Sequence, residues 1–164
     1  MESDSLVSYK ALVIPSDDRA PHLAGLPTSP MAGCIEPRAR QAEVYRTNRM
    51  PHPEILIDYM AEGLGPRGWR FQLLEALDGM NRKFDEPYII FFPVVSRDGL
   101  PFPINQYTRV IQGNLYQEST AWKGNLIIAK YTSLEYTEMK HITMADFPLI
   151  KNYLSMHGCN QGRR

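Results

Sequence analysis

Apolar side chains run almost unbroken from Pro87 to Val95 (P-Y-I-I-F-F-P-V-V), with Asp85-Glu86 before them and Ser96-Arg97-Asp98-Gly99 after. Aromatic and branched residues of this kind suit a pleated surface, so the run predicts a strand. Ile89, Ile90, Phe91 and Phe92 are consecutive rather than alternating, which requires cover on both faces. Pro93 cannot donate to a ladder, so the strand must bulge, end or lie at an unpaired edge there. The stretch W-K-G-N-L-I-I-A-K-Y from Trp122 predicts a second strand. It puts Leu126, Ile128 and Lys130 on one face and Ile127, Ala129 and Tyr131 on the other. L-V-S-Y-K-A-L-V-I, which stops at Pro15, predicts a short strand over residues 6–14.

Other segments carry the helical period. Pro53-Glu54 opens a predicted helix whose Leu56, Tyr59, Met60 and Leu64 recur at helical spacing, before Gly65-Pro66. From Gly68 to Lys83 the stripe Trp69, Leu73, Leu77, Met80 and Phe84 predicts a second helix, with Arg70, Gln72, Glu75 and Asp78 off it. Gln106 to Gln112 reads as one or two turns with Tyr107, Val110 and Ile111 inward. Thr143 and Asp146 have capping-box spacing and open a closing helix, whose apolar face is Phe147, Ile150, Leu154 and Met156 or His157. Gly158 is its expected left-handed cap. The expected fold class is α+β, a small sheet of two to four strands packed with about three helices.

Composition changes the picture mainly at the ends. Residues 15–37 hold Pro15, Pro21, Pro27, Pro30 and Pro37 among Gly, Ser, Asp and Ala, a mixture too poor in apolar surface to offset its ordering entropy. The expected organisation is a Pro-rich, largely extended or disordered arm over 1–50 with a short strand at 6–14, a compact α+β domain over 51–158 and a frayed tail over 159–164. Lys plus Arg and Asp plus Glu both total 18, so no overall field draws the chain to nucleic acid or an acidic membrane. The central run is about half the roughly 20 residues that a membrane-spanning helix needs. Acidic residues near the start, no secretory apolar core there and only Cys34 and Cys159 lead to the expectation of an intracellular protein with reduced thiols.

The blocks N-R-K-F-D-E-P-Y-I-I-F-F-P-V-V-S-R-D-G-L-P-F-P-I-N, W-K-G-N-L-I-I-A-K-Y and M-A-D-F-P-L-I-K-N-Y resemble stretches of short uncharacterised proteins of mushroom-forming fungi. The resemblance covers about residues 51–157. It implies a fungal intracellular protein, and neither an activity nor a catalytic residue.

Candidate chemistry is sparse. Ser96, Arg97 and Asp98 stand where the central strand stops, a common position for reactive groups, and His141 could join them from elsewhere; that combination would suit a small hydrolase-like enzyme. The competing reading is an ordinary Ser-Arg-Asp-Gly turn. E-G-L-G-P-R-G-W, with Arg67, could hold a phosphate at the start of the second helix, but lacks the preceding strand and the Lys-Ser/Thr of a phosphate loop. The carboxylate pairs Asp17-Asp18, Asp85-Glu86 and Glu75 with Asp78 would need to converge to act as acid and base. His22, His52, His141 and His157 have no ligand spacing, so no metal and no cofactor is expected. Arg38, Arg40, Arg46 and Arg49 surround Tyr45 in a local basic patch that suits an acidic protein partner or, as an alternative, nucleic acid. Trp69 and Trp122 read as core anchors, and Trp122 beside Lys123 as an interface residue if exposed. The leading expectation is a non-enzymatic protein-interaction module with an unidentified protein partner and no membrane association.

Overall fold

The computed structural model describes residues 7–29, 54–55, 69–76, 83–94, 99–134 and 138–159. Its centre is a seven-stranded sheet of β1 (Val7–Ile14), β2 (His22–Ser29), β3 (Glu54–Ile55), β4 (Trp69–Leu74), β5 (Tyr88–Pro93), β6 (Leu126–Tyr131) and β7 (Met139–Lys140). The spatial order is β3-β2-β1-β6-β5-β4, with β7 also on β6, and every pairing is antiparallel. Two helices, α1 (Gln106–Gln112) and α2 (Phe147–Met156), complete the regular elements among the described residues, with short 3-10 turns at Gly113–Leu115, Glu118–Thr120 and Met144–Asp146. The small sheet with about three helices is thus replaced by a sheet-dominated fold.

The largest correction is at β4. Residues 69–74, expected inside the second helix, form a strand paired along its whole length with β5, from Trp69↔Pro93 to Leu74↔Tyr88. Trp69, Phe71 and Leu73 pack on one face while Gln72 and Leu74 are buried on the other, a period of two. Glu54–Ile55, expected in a helix, pairs with β2. The rest of that predicted helix and residues 77–82 of the second lie outside the described residues.

The Pro-rich stretch also contributes structure. His22–Ser29 pairs with β1 from Val13↔His22 to Val7↔Thr28, and β1 pairs with β6 through Leu12↔Ile128 and Ile14↔Leu126. The sheet therefore spans the boundary expected at residue 51. The strand ladder offsets an ordering entropy that composition alone left unbalanced.

β5 is buried along its whole length and ends at Pro93, two residues before the expected Val95. Alternation divides its neighbours between two cores. Leu12, Ile14, Leu74, Tyr88, Ile90, Phe92, Leu126 and Ile128 meet α2 through Ile150, Tyr153 and Leu154. Ala11, Leu26, Trp69, Ile89, Phe91, Ile127, Ala129 and Tyr131 form the core of the opposite face. Burying a residue such as Ile90 or Phe91 contributes about 1.5–3 kcal/mol each.

α1 and α2 lie side by side, starting at the Tyr107–Phe147 ring contact (centroids 6.0 Å apart) and ending where Gln112 bonds to the carbonyls of Leu154 and His157. Val110, expected inward, is 74% exposed, and Thr108 and Gln112 take the buried positions of α1. Met156 is also exposed. Thr143 and Asp146 form the expected capping box. Gly158 is not a left-handed cap; a Cβ there would lie 2.6 Å from Thr120 Cβ and 2.7 Å from Thr120 O, so close approach is what requires glycine. Cys159 is buried and donates its N–H to Thr120 O, so the expected frayed tail begins as packed chain.

Candidate functional site

The largest gathering of ionisable side chains among the described residues lies where β5, β6, β7 and the start of α2 meet. Antiparallel pairing sets Tyr88 opposite Lys130 and Lys130 opposite Lys140, so all three project from one face. Lys130 Nζ is 2.8 Å from Asp146 Oδ1 and 3.4 Å from Glu86 Oε1, and Lys140 Nζ is 2.6 Å from Glu86 Oε2. Tyr88 O–H donates to Asp146 Oδ1 at 2.8 Å, and Thr143 N–H donates to Asp146 Oδ2 at 2.8 Å. The Lys130 and Asp146 side chains are only 13% and 11% exposed, so each charge depends on its partner.

These contacts set the protonation states. Burial opposes ionisation of Asp146, but the bonds from Lys130, the Thr143 amide and Tyr88 outweigh it and hold the carboxyl below its ordinary value. Burial likewise opposes the charge on Lys130, and Asp146 with Glu86 overcomes it, so its ammonium is held above the ordinary range. Burial, then the bond to Asp146, pushes the Tyr88 phenol up, while the bond from Lys140 lowers Glu86. A general acid or base works best near the operating pH, and an amine nucleophile needs a lowered value. Every shift here runs the other way, so the cluster is a clasp of paired charges rather than a poised acid, base or nucleophile.

A second polar group surrounds the end of α2, whose last carbonyls have no partner within the helix. Gln112 Nε2 donates to the carbonyls of Leu154 (3.0 Å) and His157 (3.1 Å), and Trp122 Nε1 donates to that of His157 at 3.0 Å. Gln72 Nε2 donates to Tyr153 Oη and to Gly158 O. Trp122 is therefore a core residue, 1% exposed, and presents no surface to a partner.

Ser96, Arg97 and Asp98 lie outside the described residues, as do Arg38, Arg40, Arg46 and Arg49. Val94 continues from the end of β5 that pairs with β4 at Trp69, whereas His141 follows Lys140, which sits opposite Lys130 at the other end of β6. His141 is engaged at β1, where its Nδ1 accepts the Lys10 N–H at 3.0 Å. Arg67 lies outside the described residues, and because β4 begins at Trp69 there is no helix start behind it to hold a phosphate.

Of the carboxylate pairs, Asp17 bonds Arg19 and Glu75 bonds Lys83, while Asp78 lies outside the described residues. Glu86 and Asp146 do approach one another, through Lys130, a grouping that sequence reasoning missed. The available signal was Lys130 itself, a charge on a strand face otherwise occupied by Leu126 and Ile128. Among the described residues no three His, Cys, Asp or Glu side chains are placed to hold a metal, and no helix is long and apolar enough to cross a membrane. No family model, no curated protein and no solved structure matches the chain.

Proposed function

We propose that this chain is a non-enzymatic, intracellular protein-interaction module in which the sheet is a scaffold and the arginine-rich segment 38–49 contacts an acidic protein partner. The observation that carries the reading is the clasp of Glu86, Tyr88, Lys130, Lys140 and Asp146, whose charges are spent on one another and leave no poised reactive group there. Arg38, Arg40, Arg46 and Arg49 stand against a single Glu43 within 38–49, in a chain whose formal charge is zero. Such a local excess suits a partner of opposite sign, with electrostatics setting encounter and register.

The test is quantitative affinity capture with the full chain and with a variant carrying Ala at Arg38, Arg40, Arg46 and Arg49. The expected result is selective loss of a protein partner at unchanged folded content. An identical set of partners for both baits overturns the reading, as does captured material that nuclease treatment removes.

A further inference from the structure

β6 pairs with β1 only through Leu12↔Ile128, Val13↔Ile127 and Ile14↔Leu126; further along it turns to β7, at Lys130↔Lys140 and Tyr131↔Met139. β1 thus loses its β6 neighbour before Lys10, and two groups following β7 take over that edge. Ile142 N–H donates to Lys10 O at 3.0 Å, a regular backbone bond, and Lys10 N–H donates to His141 Nδ1 at 3.0 Å. An imidazole nitrogen stands where a strand would supply a carbonyl. The His141 ring also lies against Tyr9, with centroids 5.4 Å apart, and it is exposed, so a proton can reach it.

We propose that His141 makes the β1–β7 seam conditional on protonation: the neutral ring closes it, and the protonated ring releases the N-terminal half of β1 from β7. A carbonyl accepts a hydrogen bond at any pH, whereas Nδ1 accepts only without its own proton, because both nitrogens of the cation are donors. Histidine is the side chain whose charge ordinarily changes near neutrality. The titratable and charged groups of the elements around it are Tyr9 and Lys10 on β1, Lys130 and Tyr131 on β6, Glu138 and Lys140 at β7, and Asp146 in the turn before α2. Lys140 is paired with Glu86 and Asp146 with Lys130, so no carboxylate bonds to the His141 ring among the described residues. The cation would face the Lys10 amide with no acceptor to offer. Pairing at Leu12–Ile14 and the ladder to β2 involve no imidazole and stay closed.

The test is amide hydrogen exchange at Lys10 on the full chain between about pH 8 and about pH 5, corrected for the intrinsic rate, in wild type and in His141→Asn. Asparagine keeps an acceptor oxygen near the Nδ1 position and has no proton to gain. Protection at Lys10 is expected to fall about threefold to tenfold on acidification in wild type, the worth of one net hydrogen bond, and to stay level in the variant. The Leu12 amide is the internal control. Equal pH dependence in both proteins, or none in wild type, overturns the proposal. If the variant does not fold, imidazole nitrogen shifts of the wild type decide: a proton on Nδ1 while Lys10 is fully protected overturns it as well.

Discussion

Asn105 is wholly buried and spends its whole amide on backbone. Its two Nδ2 protons are shared among the carbonyls of Ile14 (3.1 Å), Pro15 (3.2 Å) and Gly124 (2.9 Å), and its Oδ1 accepts the N–H of Thr108 at 3.1 Å. One side chain thereby ties the end of β1, the turn before β6 and the first turn of α1. A buried polar group left unpaired costs about 1–3 kcal/mol. Asn105→Ala is therefore expected to lower unfolding free energy by about 3 kcal/mol. Asn105→Asp should cost at least as much, because it turns a carboxylate oxygen toward three carbonyls. Urea unfolding with an unchanged slope checks both, and a midpoint within error of wild type would refute the role. Nothing in P-F-P-I-N marked the partners of its Nδ2, which are 19 and about 90 positions away.

At the scale of elements, α2 is held at its C-terminal end by Gln112 and Trp122 and is entered through the capped 3-10 turn Met144–Asp146. Thr143 Oγ1 accepts the Ala145 N–H at 3.2 Å and Asp146 Oδ2 accepts the Thr143 N–H, the capping box legible in T-M-A-D. Thr143→Ala is expected to cost about 1 kcal/mol, the usual worth of an N-cap. Asp146→Asn is expected to cost more, about 2–3 kcal/mol, because it also leaves Lys130 with Glu86 alone. Thermal or urea unfolding of the two variants side by side checks the order; equal losses would mean that the Lys130 pair contributes nothing. Sequence located α2 and misplaced β4 for one reason. A spacing of four, as from Trp69 to Leu73, is close to the helical period and is also two strand periods, so those two positions cannot decide. Phe71 decides: a helix would set it on the far side from Trp69, whereas a strand sets all three on one face. Gln72, placed off the apolar stripe, is buried, and Tyr153 and Gly158 take its amide protons.

For the whole molecule, the run Tyr88–Pro93 and the strand Leu126–Tyr131 were legible because each is apolar over its own length, independent of neighbours. β2 was not: His22–Ser29 contains Gly25 and Pro27 and becomes a strand through pairing with β1, a property of two segments together. The clasp was hidden for the same reason, since Glu86, Lys130, Lys140 and Asp146 meet only when β5, β6, β7 and α2 are assembled. It makes stability depend on pH in a direction that can be worked out. Asp146 and Glu86 are held below their ordinary values of 3.8 and 4.5, so their contribution is complete above those values and is lost as pH falls through the lower, folded ones. Lys130 is held above 10.5, so its contribution is complete below that value and is lost only as pH rises through the higher, folded one. Between these windows the clasp contributes a plateau. Urea midpoints are therefore expected to fall as pH drops below about 4, and to fall less in Asp146→Asn, which has no charge left to lose at that position. Parallel acid limbs for the two proteins would show that Asp146 carries no linked proton, and that the clasp is a contact without energetic weight.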